Sequence, residues 1–256
     1  MFGKISSLLA FSFVFFLFQI HSVAASDLPF SDVSTDHWAY EDIKDIYELG
    51  IVSGKSANSY DPDSTVTTAE FIKMVTETAG IDLDKYDASS VQWVSEDDWF
   101  YEYVNTAWII DLFDKTEPDI DYNSSYDGSN SLVRYSNTPI SRVNAAIILM
   151  NAVNPYECIT ESDGGSLQDI MDWAEDEDLR EKWISINTAS FYNIIRGFEE
   201  YGYPFKPENT LTRAEAAVIV NRAYETFFKP GAFYEDDSNG EFEKTAGSAD
   251  PGCQAE

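Results

Sequence analysis

Between Thr212 and Phe227 the apolar residues Ala216, Ile219, Val220, Ala223, Tyr224 and Phe227 recur at the spacing of one face of an α-helix. The polar residues ahead of this run predict its start. Thr212 and Glu215 are placed as a capping box, in which the threonine hydroxyl accepts from the Glu215 N–H and the carboxylate accepts from the Thr212 N–H. The same change from polar start to apolar face occurs twice earlier. Thr67 and Glu70 form a capping box before Phe71, Met74 or Ile72, Val75 and Ala79. Ser141 and Asn144 stand before Ala145, Ile148, Leu149 and Ala152, and without the glutamate Ser141 is expected to cap alone.

Each of these predicted helices follows another. Ala39, Ile43, Ile46 and Tyr47 outline the first, which Gly50 should end in left-handed geometry. Val104, Ala107 and Trp108 repeat it after Asp98-Trp99-Phe100-Tyr101, an echo of His37-Trp38-Ala39-Tyr40. Before the third, a longer stretch holds Trp173, Leu179, Trp183 and Ile186, with Leu167-Gln168-Asp169-Ile170 in the place of Phe30-Ser31-Asp32-Val33. Asn193-Ile194-Ile195-Arg196-Gly197 matches Gly50 to Gly54, and Phe205-Lys206-Pro207 matches Tyr60-Asp61-Pro62. Three units follow: residues 28–80, residues 91–153 with a polar insertion at 113–139, and residues 166–228. Helix–loop–helix units this short bury too little surface alone, so a mainly α body of three packed lobes is expected.

The remaining chain adds compartment and charge. Residues 1–25 read as a secretory signal, with Lys4 before an apolar run and small residues at Val23-Ala24-Ala25. A retained anchor is the alternative, but Ser7, Ser12 and Gln19 interrupt a run shorter than the roughly 20 residues of a span. No stable membrane insertion is expected after cleavage. The formal charge of −30 becomes −31 once Lys4, the only charged residue of that segment, is removed. That field excludes nucleic acid as a partner, and an anionic ligand would need a locally basic pocket. Cys158 and Cys253 would meet an oxidising environment, where a disulfide between them and two free or intermolecular thiols both fit. Residues 229–256, with seven acidic and two basic residues, read as a disordered acidic tail. Asn123-Ser124-Ser125 is a glycosylation sequon inside the insertion.

Taken in order, Phe30-Ser31-Asp32-Val33, His37-Trp38-Ala39, Gly50 to Gly54, Tyr60-Asp61-Pro62 and Leu211-Thr212-Arg213-Ala214-Glu215 resemble the S-layer homology domain over roughly residues 28–228. The resemblance implies three tandem repeats in a pseudo-threefold helical assembly. It also implies grooves between repeats that bind secondary cell-wall polysaccharide, often through a pyruvate ketal. A secreted protein held without a covalent bond at the cell wall or S-layer follows, with other surface-layer proteins as further partners. The ligand-binding arginine that follows the motif threonine falls on Arg213 and Arg142, whereas the first repeat has Thr68 there. Working sites are therefore expected at one or two junctions, with Arg213 contributing most, Arg142 less and Thr68 least.

From the residues alone, Arg213 reads either as a solvated surface charge or as a fork-shaped anion donor beside free helix N–H groups. Thr67, Glu70, Ser141, Thr212 and Glu215 are capping residues, while His37 and Trp38 read as helix-start and packing residues, with direct sugar contact as the alternative. A glycoside hydrolase is the competing class. With 46 acidic residues, paired carboxylates are uninformative, and His37 is the sole histidine outside the signal, too few for a histidine metal cluster. No catalytic residue, metal or cofactor is assigned. A calcium module or adaptor acting through the tail is the third reading, but Ala246 stands where the loop from Glu235 needs its bidentate glutamate.

Overall fold

The computed structural model describes residues 28–90, 94–113, 131–153, 167–176, 179–198 and 204–230. The signal segment, the sequon, both cysteines and the tail from residue 231 lie outside them. The fold is mainly α. Among the described residues there are seven α-helices and no named strand, only isolated bridges. The helices are α1 (Tyr40–Glu48), α2 (Thr68–Thr78), α3 (Tyr101–Ile109), α4 (Ser131–Ser136), α5 (Arg142–Val153), α6 (Arg180–Phe191) and α7 (Arg213–Ala223). No described helix is long and apolar enough to cross a membrane.

The helix starts read from the sequence are present. Thr67 caps α2 and Thr212 caps α7, each in a complete box with Glu70 or Glu215. At α5 the Ser141 hydroxyl accepts from the Asn144 N–H at 3.3 Å, half of a box. These caps satisfy the third orphan N–H of each helix, and neighbouring segments satisfy others. Thr68 N–H donates to the Thr138 carbonyl (2.9 Å), Arg142 N–H to Asn209 (2.8 Å) and Arg213 N–H to Ser64 (2.9 Å). One residue further along, Val143 N–H donates to Pro207 and Ala214 N–H to Pro62. Just ahead of the helices Val66 donates to Leu211, Leu211 to Ile140 and Ile140 to Val66, at 3.0–3.1 Å. The three starts thus form a closed cycle of backbone bonds, and its central side chains Val66, Ile140 and Leu211 are at most 1% exposed.

Around this cycle α2, α5 and α7 occupy the interior. They are buried on nearly every side, which is more than the single apolar face expected from spacing. Ala217 and Val218 of α7 are buried, as are Ala146, Ile147 and Met150 of α5. The reason is the packing partner of each: α1 lies on α7, α3 on α2, α6 on α5, and α2 also touches α5 and α7. Every outer helix therefore covers the inner helix of a different unit. Each outer helix ends alike, in a left-handed residue at Gly50 (φ 77°), Asp111 (φ 57°) or Asn193 (φ 60°). The next N–H then reaches back five residues, from Ile51 to Ile46, Leu112 to Ala107 and Ile194 to Ala189, each at 2.9 Å.

Two differences from expectation concern local elements. The segment read as a polar insertion through residue 139 contains α4, whose end turns so that the Thr138 carbonyl meets the Thr68 N–H. Past Ala223 the last helix widens into π-helical geometry over Tyr224–Phe228. Asp169 stands where Asp32 does in function as well as in register. Asp32 accepts from the N–H groups of Tyr60 (2.9 Å) and Asp61 (2.8 Å), and Asp169 from those of Phe205 and Lys206, both at 2.7 Å. Asp61 and Lys206 are themselves left-handed, and the paired bonds hold that turn.

Gly54 is required by space. A Cβ there would lie 2.4 Å from the Ser56 carbonyl oxygen and 2.5 Å from Cε1 of Phe30. Gly54→Ala should therefore destabilise the protein by about 1–3 kcal/mol. Denaturant unfolding followed by circular dichroism checks this, and an unchanged midpoint would contradict the overpacking.

Candidate functional site

Two grooves open at unit junctions, and each is assembled from all three units. The first, of about 250 Å³, is lined by the Ile51–Lys55 loop, Glu70, Lys73 and Met74, with Arg213 and Trp99 brought in from the other units. The second, of about 180 Å³, has Ile194–Arg196, Phe198, Glu215, Val218, Ile219 and Arg222, with Arg142 and Trp38 brought in. The correspondence is positional. Arg213 and Arg142 each follow the capping residue of an inner helix, and Trp99 and Trp38 each precede an outer helix.

Both arginines are nearly buried, Arg213 at 7% and Arg142 at 5% exposure, so the solvated-surface alternative does not apply to Arg213. Their burial is compensated by hydrogen bonds. Arg213 donates through Nε to the Tyr60 carbonyl (2.9 Å), through Nη2 to the Ser53 carbonyl (3.0 Å) and through Nη1 to Glu70 (3.3 Å). Its guanidinium lies 4.6 Å above the Tyr60 ring, whose hydroxyl donates back to the Arg213 carbonyl. Burial pushes the Tyr60 phenol up to about 12, against the nearby Arg213 charge. Arg142 repeats the arrangement, with Nε donating to the Phe205 carbonyl and Nη2 to the Arg196 carbonyl, both at 2.8 Å. The Phe205 and Phe198 rings lie 5.0 and 4.7 Å from its guanidinium. Burial lowers its pKa, opposed by Glu215 and Asp169.

Each arginine thus ties an inner helix of one unit to the loop of the next and forms a groove wall with the donors that remain. Thr68, at the corresponding position of α2, is 1% exposed, and its hydroxyl donates to the Thr138 carbonyl at 3.3 Å. It supplies a junction contact and no charge.

Glu70 serves two ends at once. It completes the α2 box by accepting from the Thr67 N–H at 2.9 Å, and it receives both Arg213 and Lys55. Burial raises its pKa, but the Lys55 hydrogen bond, the Thr67 N–H and the charges of Lys55 and Arg213 outweigh this and hold it below 4.5. Glu215 completes the α7 box, yet its ion pair with Arg142 spans 4.0 Å.

The tryptophans change the reading most. Trp38 is 62% and Trp99 57% exposed, and both overhang grooves rather than pack in the interior as expected for Trp38. His37 keeps a helix-start role, its Nδ1 accepting from the Ala39 N–H at 3.2 Å. Lys55, Lys73, Arg196 and Arg222 were not singled out from the sequence. Trp99 carried the signal that could have found it, since a tryptophan recurs two residues before the outer-helix start in two units. A small concave site combining an exposed indole, a buried guanidinium and a carboxylate can stack on a sugar face and hydrogen-bond its polar edge.

These features describe a helical fold with two grooves, each lined from more than one part of the chain. The S-layer homology domain family matches the chain at two stretches, residues 29–72 and 177–217. Over 211 residues it is 28% identical to an amylopullulanase of Thermoanaerobacterium thermosulfurigenes, covering 79% of this chain and 10% of that protein. It is 27% identical to the exoglucanase XynX of Acetivibrio thermocellus, covering 77% and 16%. It is 23% identical to the S-layer protein sap of Bacillus anthracis, covering 81% and 23%. The chain spans about a tenth to a quarter of the length of these relatives.

Because the folded pKa of Glu70 is depressed, its contribution is present above the unfolded value near 4.5 and is lost as pH falls through the lower folded value. Glu70→Gln keeps an acceptor for the cap and removes the charge. It should cost about 1–3 kcal/mol at neutral pH. The gap from the native protein should narrow as pH falls below 4.5. Urea unfolding across that range tests this, and a pH-independent gap would refute the charge assignment.

Proposed function

We propose that this chain is a non-catalytic, secreted surface module that binds a secondary cell-wall polysaccharide in the grooves beside Trp38 and Trp99. Binding there holds it on the wall or S-layer without a covalent bond. The observation that carries this reading is the recurrence of one constellation at two junctions: an exposed indole, a buried arginine stacked on an aromatic ring, and the helix-capping glutamate. Residues 28–80, 91–153 and 166–228 are read as three S-layer homology repeats, the middle one diverged. The cyclic bonds through Val66, Ile140 and Leu211 support its inclusion.

Relatives named as an amylopullulanase, an exoglucanase and an S-layer protein each align with about four-fifths of this chain, while the aligned part is a minor part of each of them. A segment common to proteins of such different names fits attachment better than hydrolysis. A pyruvate ketal on the polymer fits the grooves well, because it joins a sugar ring that can stack on indole to a carboxylate that can meet guanidinium or ammonium groups. Other surface-layer proteins are partners to be expected at the same wall.

The full chain should co-sediment with purified sacculi and fail to do so once the secondary polymer is stripped from them. Trp38→Ala with Trp99→Ala should weaken retention by about tenfold or more, equivalent to about 1.4 kcal/mol. Equal retention on stripped sacculi, or by the folded double variant, would defeat the reading.

A further inference from the structure

The two grooves share a plan and differ in how their charges are spent. In the first, every cation already has a carboxylate. Lys55 and Arg213 meet at Glu70, and Lys73 lies 3.8 Å from Glu77. In the second, Arg196 bonds through Nε to the amide oxygen of Asn193, and Arg222 bonds through Nη1 to the Ile194 carbonyl at 3.4 Å. Neither makes an ion pair among the described residues, and Arg142 reaches Glu215 only at 4.0 Å. Asp42 acts on Arg222 from α1, but its carboxylate is engaged by the Asn221 amide at 3.0 Å.

We propose that the grooves divide the polymer by charge: the Arg142–Arg196–Arg222 groove takes a sugar bearing an oxyanion, and the Lys55–Glu70–Arg213 groove takes a neutral sugar. This rests on the saccharide-binding reading above and adds the specificity of each groove. It also reverses the ranking that the motif suggests, in which the complete capping box at Arg213 marks the stronger anion site.

Corresponding positions carry the difference. Arg196 stands where the first groove has Ser53, and Arg222 stands where α2 has Glu77. Arg196 and Arg222, with no ion pair to either among the described residues, repel each other, and burial together with Arg196 lowers the pKa of Arg222 against the pull of Asp42. An oxyanion between them relieves that repulsion and accepts from two planar forks. In a chain of net charge −30, Arg196 and Arg222, which make no ion pair among the described residues, are a local reversal of the surrounding field. The first groove offers an incoming anion cations already matched with Glu70 and Glu77, so its indole and hydrogen-bonding groups suit an uncharged ring.

Titration calorimetry on the full chain can separate the possibilities with three probes: a hexosamine disaccharide, the same disaccharide with a pyruvate ketal, and the same with a phosphate monoester. The native protein should bind at least one charged probe about tenfold or more tightly than the neutral one. Either preference supports the assignment and identifies the oxyanion. Arg196→Gln with Arg222→Gln should reduce the preference to within about threefold, while Lys55→Gln with Lys73→Gln should leave it. Indole fluorescence keeps the arginines intact: the charged probe should perturb emission in Trp99→Phe and not in Trp38→Phe. Preference retained without Arg196 and Arg222, lost without Lys55 and Lys73, or reported by Trp99 would overturn the division. Equal binding of all three probes would overturn it while leaving the saccharide reading standing. Binding of none would overturn both.

Discussion

The structure depends on the cycle of backbone hydrogen bonds that joins the starts of α2, α5 and α7. A helix begins with N–H groups that have no partner within the helix, and burying them unpaired costs about 1–3 kcal/mol each. Here the cap hydroxyls of Thr67, Ser141 and Thr212 satisfy the third donor of each helix. Carbonyls of Thr138, Asn209 and Ser64 satisfy the first. Since each unit supplies the carbonyl that another unit's helix requires, no inner helix can be fully buried and fully paired without the other two.

The grooves are a consequence of that closure. Once the starts of three inner helices meet, the residue after each cap points across a junction, and whatever side chain stands there must be accommodated. At Thr68 a small hydroxyl closes the contact on Thr138. At Arg142 and Arg213 a long side chain threads beneath a loop, stacks on Phe205 or Tyr60 and takes the loop carbonyl. The aspartates Asp32 and Asp169 hold those loops from below through paired N–H bonds. A groove wall built this way is rigid because the same bonds maintain the fold, and a preorganised wall loses less entropy on binding a ligand.

Much of the local architecture was legible in the residues. Capping boxes at Thr67–Glu70 and Thr212–Glu215 state helix starts because their geometry needs only four consecutive residues. Gly50 states a helix end for the same reason, and Asp169 matches Asp32 in accepting from the corresponding turn, although the separations are 36 and 28 residues. The recurring order of these short motifs was enough to identify the S-layer homology resemblance.

What the sequence by itself determined, then, was the set of elements, where they begin, and which residue follows each cap. Tertiary structure alone decided what those residues face. Spacing along α7 could not show that Val218 and Ala217 are also buried, because the covering surface comes from α1, more than 160 residues earlier in the chain. Nor could it place Trp38 beside Arg142, or Trp99 beside Lys73 and Arg213, since each groove gathers side chains from three units. The spending of Arg213 on Glu70, and the absence of such an ion pair at Arg196 and Arg222 among the described residues, depend on distances of a few ångströms across junctions. Local patterns report interactions within about one helical turn, whereas burial and charge pairing are set by segments that meet only after the chain has closed on itself.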